Sequence, residues 1–251
     1  MALLSRQLLK TFATMAVDKP VAKALEDVTS RVRLASAKVN RTPPRLVAVS
    51  KTKPADAIQE AYDVGHRVFG ENYVQEMLEK APVLPSDINW HFIGHLQSNK
   101  VKSIIEAVPN LAMVETVDST KLADKLNKAV EGSGRPPLSV MVQVNTSGEE
   151  SKYGVGPSEV VSLVRHVFTQ CPHLKLAGLM TIGMPDYTSR PENFECLAKC
   201  REDVSQDLGL PVDQIELSMG MSGDFEQAIE MGSTNIRVGS TIFGARNYHD
   251  K

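Results

Sequence analysis

The chain has 251 residues, of which 42% are hydrophobic and 23% charged, and its formal net charge is -2. This balance gives no electrostatic reason to expect nucleic acid or an anionic membrane as partner, and 5% aromatic residues leave little for base stacking. No apolar run approaches the roughly 20 residues needed to cross a bilayer, and the length accommodates one larger α/β domain.

Residues 1–17, MALLSRQLLKTFATMAV, carry Arg6 and Lys10 with Ser and Thr, and no acid precedes Asp18. That is the composition of an organelle transit peptide and also of a frayed terminus. The expected division is a flexible extension over 1–17 and one domain over 18–251. The expected location is cytoplasmic, or mitochondrial or in another organelle if the extension acts as an address. The three cysteines, Cys171, Cys196 and Cys200, show no disulfide-framework spacing and suit a reducing compartment. Cys196 and Cys200 stand at i, i+4, but no His or carboxylate pattern completes a metal site around them, so buried free thiols are expected.

A leading helix over 21–39 ends before the Pro43-Pro44 pair. Apolar runs at 45–50, 67–70, 89–94, 110–117, 138–145, 174–181, 215–219 and 235–240 then read as eight strands. Helical patterns over 54–64, 74–80, 97–107, 119–130, 157–170, 191–208 and 223–230 separate them. Such alternation implies right-handed crossovers and a parallel sheet. Eight units in this length predict a single (β/α)₈ barrel of the TIM type with an extra N-terminal helix. A doubly wound open sheet is the alternative, weakened by the lack of a Gly-rich loop after the first strand.

A barrel carries its functional groups at the C-terminal strand ends. Those ends hold Lys51, Glu71-Asn72, His95, Asp118, Asn145, Met180-Thr181, Ser218 and Gly239-Ser240. Lys51 follows Val47 and Val49 in the inward parity of the first strand. Desolvation there favours the neutral amine, a nucleophile toward carbonyls, while a lysine snorkelling at a strand end is the plainer reading. Across the barrel, LSMGMSGDF ends the seventh strand with Ser218 and Ser222, and IRVGSTIFG ends the eighth with Gly239 and Ser240. Glycines and hydroxyls after strands seven and eight are where barrels frequently hold a phosphate.

Arg237 sits inside the eighth strand and needs a partner, either an acid such as Glu216 or a ligand. His91 and His95 in HFIGH fall on one strand face without the glutamate of a zinc-protease motif, and His95 is the one expected at the pocket. Glu71-Asn72 serves a ligand or caps the following helix.

A lysine facing a phosphate cradle across a barrel mouth meets the needs of pyridoxal 5′-phosphate (PLP). The segments LVAVSKTKP, FGENYVQE, WHFIGHLQSNK, VNTSGEESKYG and LSMGMSGDFEQAIEMGSTNIRVGSTIFGAR resemble the signature segments of the pyridoxal phosphate homeostasis proteins. The resemblance implies that Lys51 forms a Schiff base with PLP and that Arg237 faces the pyridine nitrogen. It also implies that Ser218, Ser222, Gly239 and Ser240 bind the phosphate while Asn72, His95 and Met180 line the ring. The family's barrel is similar to the N-terminal domain of alanine racemase, and the racemase's second β domain is expected to be missing here. The implied role is a monomeric, non-catalytic PLP carrier in vitamin B6 homeostasis, in transient contact with apo-enzymes. An amino-acid racemase or a Schiff-base aldolase is the alternative.

Overall fold

Strands that read as nearly continuous apolar runs must bury both faces, and the chain does this by closing its sheet. The computed structural model describes residues 19–149, 153–182 and 191–245; the expected extension over 1–17 lies outside them. The strands are β1 (Arg45–Val49), β2 (Val68–Glu71), β3 (Asn89–Phe92), β4 (Leu111–Val117), β5 (Leu138–Gln143), β6 (Leu174–Met180), β7 (Glu216–Ser218) and β8 (Asn235–Val238). They pair in parallel in chain order, and β8 returns to β1 to close the barrel.

The helices are α1 (Pro20–Lys38), α2 (Ala55–Asp63), α3 (Val74–Lys80), α4 (Val101–Ala107), α5 (Thr120–Ser133), α6 (Val160–Gln170), α7 (Pro191–Leu208), α8 (Phe225–Glu230) and α9 (Ser240–Phe243). All eight expected strands are present. Several stop short of their predicted ends because polar or glycine residues turn the backbone out of the ladder: β3 ends at Phe92 and β8 at Val238, and Ser240 opens α9 instead of closing a strand. The helix expected over 97–107 begins as a 3₁₀ turn, Ser98–Lys100, before α4.

Val21, Leu25, Val28, Val32 and Ala35 recur at helical spacing along α1 and are buried. Through them α1 packs on α8, α9 and α2, the helices beside the β8–β1 seam. Arg31 of α1 adds a bidentate pair to Glu226 at 2.8 Å for each bond and lies 4.6 Å from the Phe225 ring centroid.

The core has two layers. The larger lies between sheet and helices, with Phe69, Trp90, Phe92, Ile104 and Leu126 fully buried. Burial of each such side chain is worth about 1.5–3 kcal/mol. The second fills the barrel lumen, where Met113, Met141 and Met180 form a separate apolar cluster.

Strands β6 and β7 approach closely at Gly178, where a Cβ would lie 2.0 Å from the Glu216 carbonyl oxygen. Backbone cannot yield as a side-chain tip can, so Gly178→Ala is expected to destabilise the fold by about 1–3 kcal/mol. Urea unfolding measures this, and an unchanged midpoint would contradict the close approach.

Candidate functional site

The C-terminal strand ends surround a cavity of about 500 Å³. Lys51 and Asn72 line one side, Ser222, Gly239 and Ser240 the other, and Arg237 lies between them. Six of the nine residues expected at the site therefore share one pocket.

Lys51 follows β1 in a tight turn. The Ser50 carbonyl accepts the Lys53 N–H at 3.0 Å, and Thr52 takes a left-handed φ of 62°. Asn72 directly follows β2, and its Oδ1 is buried with no hydrogen-bond partner among the described residues. The chain leaving β3 can pass this close only because residue 94 is glycine, since a Cβ there would lie 1.9 Å from the Asn72 carbonyl oxygen.

On the opposite side, the Ser222 hydroxyl accepts the Gly239 N–H at 3.2 Å and the Thr241 N–H at 3.5 Å. The β7 and β8 loops are thereby drawn into one group of hydroxyl and backbone N–H groups, suited to an anion with several oxygens. Asp224 Oδ1 accepts the Met221 N–H at 2.6 Å and fixes the turn that presents Ser222; burial pushes its carboxyl up from the ordinary value.

Arg237 is buried, yet it reaches the pocket floor. Its Nη1 donates to Ser218 Oγ at 2.5 Å and its Nη2 to the Thr181 carbonyl at 2.7 Å. Ser218 in turn donates to Glu115 Oε2 at 2.5 Å, and Glu115 also holds His91 Nδ1 at 2.6 Å and Asn235 Nδ2 at 3.2 Å. Burial alone would push the Glu115 carboxyl up. The His91 hydrogen bond and charge, with Arg237 and Ser218, outweigh it and hold the group below the usual carboxylate range. Burial lowers the Arg237 value, and the charges of Glu115 and Asp224 work against that.

The acid that balances Arg237 is thus Glu115, through Ser218, and not Glu216. Glu216 stands at the opposite, N-terminal end of β7 and pairs with Arg45 at 2.6 and 3.0 Å. Sequence reasoning passed over Glu115, although a carboxylate in the apolar run Leu111–Val117, in the same parity as Met113, carries the signal that made Arg237 notable.

Three expected site residues lie off the pocket wall. Ser218 is fully buried, with its hydroxyl bonded to Glu115, Asn235 and Arg237 below the pocket wall. Met180 is buried in the lumen against Met113 and Met141, and Ile182, two residues nearer the mouth, takes the wall position. His95 is exposed because β3 ends at Phe92, and Ile93 lines the pocket in its place. The His95 ring stacks on Tyr153 with centroids 3.7 Å apart, and its Nδ1 lies 3.4 Å from Asp118.

Cys196 and Cys200 form no metal cluster with other described residues, and burial, then Cys196, pushes the Cys200 thiol up to about 12. Asp124, His166 and Cys171 do converge on the outer helices, but Lys121, Lys125 and Lys128 line the adjoining groove and oppose a cation there.

The sequence profile described as "Alanine racemase, N-terminal domain" matches residues 24–247. A human protein named pyridoxal phosphate homeostasis protein is 53% identical over 251 residues, spanning 95% of this chain and 91% of the relative. A Vibrio alginolyticus protein of the same name is 46% identical, spanning 89% and 97%. The solved structure of PipY from Synechococcus elongatus with PLP bound superposes with a TM-score of 0.72 at 33% identity, covering 89% of this chain and all of that one. A barrel of this topology, matched over residues 24–247 by the family model and over most of its length by proteins of one name, places the chain in the alanine racemase N-terminal domain family, as a member of its pyridoxal phosphate homeostasis proteins.

Proposed function

We propose that this protein binds PLP covalently through Lys51 and holds the cofactor for delivery to PLP-dependent apo-enzymes. The reading is supported above all by one observation: Lys51 lines the same pocket as Ser222, Gly239 and Ser240. A relative with PLP bound and relatives named for PLP homeostasis point the same way.

The residues fit the group. When bound, PLP supplies an aldehyde carbon open to amines and a ring that draws electrons from it. Lys51 provides the amine that captures it. Ser222 and Ser240 donate to the phosphate oxygens, with Gly239, whose N–H holds the Ser222 hydroxyl, letting the backbone come close to them; charge-assisted bonds of this kind are roughly twice as strong as neutral ones. The orphaned Asn72 Oδ1 accepts a hydrogen bond from a ring substituent. Arg237 offers only donors, so beside a ring nitrogen it leaves that atom unprotonated and the ring a weak electron sink.

The same wall argues for a carrier over an enzyme. Among the described residues lining the pocket there is no carboxylate, histidine, cysteine or tyrosine. Beside Lys51, the acid–base side chain on that wall is Lys53, whose Nζ donates to the Ala245 carbonyl at 2.7 Å, so abstraction of a proton from a bound amino acid would draw on a lysine already held by the backbone. The protein would act as a monomer in transient contact with apo-enzymes, with residues 1–17 as the segment carrying any organelle address.

Borohydride reduction after incubation with PLP is expected to fix the pyridoxyl group on Lys51, located by peptide mass spectrometry. An adduct on Lys53, which also lines the pocket, or on Lys100 would overturn the assignment. Pyridoxal, lacking the phosphate, is expected to bind at least about tenfold more weakly than PLP; equal affinities would remove the role given to Ser222, Gly239 and Ser240. The loaded protein is expected to reactivate an apo PLP enzyme while racemising L-alanine far more slowly than about 1 per second. Racemisation at or above that rate would make it an enzyme.

A further inference from the structure

A buried ammonium lies directly behind the turn that carries Lys51. Lys80, the last residue of α3, is only 8% exposed, and its Nζ donates to the Ser50 carbonyl at 3.0 Å, Glu71 Oε1 at 2.8 Å and Glu76 Oε2 at 2.7 Å. An ammonium has three donors, so these acceptors satisfy it. Glu71 is fully buried and also accepts the Ser50 hydroxyl at 2.7 Å. Burial pushes the Glu71 carboxyl up, and the charge of Lys80 is the largest influence opposing that. Glu76 Oε2 accepts, besides Lys80, the Thr52 N–H at 2.7 Å.

These bonds fall on specific atoms. The Ser50 carbonyl belongs to the peptide group before Lys51 and the Thr52 N–H to the one after it. Both peptide groups bracketing Lys51 are thus tied to a single ion cluster contributed by β2 and α3. Thr52, a β-branched residue at φ 62°, stands in a conformation that favours glycine and persists only where its surroundings enforce it. A lysine stem is long and flexible, so the direction of its amine depends on how firmly its backbone is held.

We infer that Lys80, Glu71 and Glu76 are positioning residues for Lys51, setting the two peptide groups around it so that its amine enters the pocket. Lys80 is absent from the pocket wall and acts only through the turn. The inference rests on the reading that Lys51 is the capturing amine. It goes beyond that reading by assigning a function to a second lysine and to two carboxylates in the FGENYVQE segment, none of which lines the pocket.

The test uses the full chain with Glu76→Ala, which removes the Thr52 acceptor and one partner of Lys80. The Glu76 side chain is 24% exposed, so this change avoids stranding the fully buried Glu71. Two quantities are read: the rate of covalent capture of PLP by absorbance, and the affinity for pyridoxine 5′-phosphate by calorimetry. The second compound keeps ring and phosphate but has an alcohol in place of the aldehyde, so it reports on the pocket without the amine. Glu76→Ala is expected to slow capture by about tenfold or more and to leave pyridoxine 5′-phosphate affinity unchanged. Glu76→Gln, which keeps an oxygen for the Thr52 N–H, is expected to capture faster than Glu76→Ala. An unchanged capture rate in Glu76→Ala overturns the inference, and so does a loss of pyridoxine 5′-phosphate binding equal to the loss of capture, which marks a merely structural role. A wild-type protein that forms no adduct on Lys51 overturns instead the reading beneath it.

Discussion

The charge pair in the barrel lumen is the constraint around which this molecule is built. A guanidinium at the bottom of a ligand pocket is useful because it is fixed and always charged, and both properties require something beneath it to balance the charge. Glu115 on β4 does so across the full width of the lumen, with the Ser218 hydroxyl bridging the two. His91 and Asn235 then satisfy the remaining carboxylate lone pairs. Four strands thus commit inward-facing polar residues to holding one arginine upright, and the methionine cluster fills the lumen beside them.

Above that floor the site divides by chemistry. The β1 and β2 ends bring the amine and an unsatisfied amide acceptor, and the β7 and β8 ends bring N–H and hydroxyl donors. Each half is stiffened from outside the pocket. The Lys80 cluster fixes the turn after β1, and the Asp224 carboxylate fixes the turn after β7. Rigid support behind groups that touch a ligand reduces what binding must spend on ordering them.

Much of this was legible in the sequence, because the alternation of apolar runs with helical patterns is long and regular, and strand parity carries Lys51 and Arg237 to the interior. Three of the expected site residues lie off the pocket wall, for reasons of strand end and depth. His95 is expected at the pocket from strand parity, whereas Met180 and Ser218 are strand-end residues whose roles come from the resemblance. Parity fails once the chain leaves the ladder, as it does after Phe92, and depth along the axis cannot be read from parity at all. Met180 and Ser218 are fully buried and lie below the pocket wall. Glu115 was missed because partner choice across a lumen depends on which strand ends lie at the same height. That height is set by the barrel's stagger, whereas Glu216 and Arg237 were paired on closeness in the chain. In the Lys80 cluster the i,i+4 spacing of Glu76 and Lys80 is a local helical pattern, but its contact with Ser50 and Thr52 joins residues more than 20 positions apart and leaves no mark in the sequence.

Closure of the sheet has a kinetic consequence. The β1–β8 seam joins residues such as Arg45 and Asn235, 190 positions apart, so it is among the last contacts a growing or refolding chain can make. The amine comes from the first strand end and the anion donors from the last two, so neither half of the pocket exists as a pocket before that seam forms. A phosphate-bearing ligand with an aldehyde cannot template early folding here. It can only select molecules whose barrels have already closed, which makes covalent loading a report on completed folding rather than a contributor to its early steps.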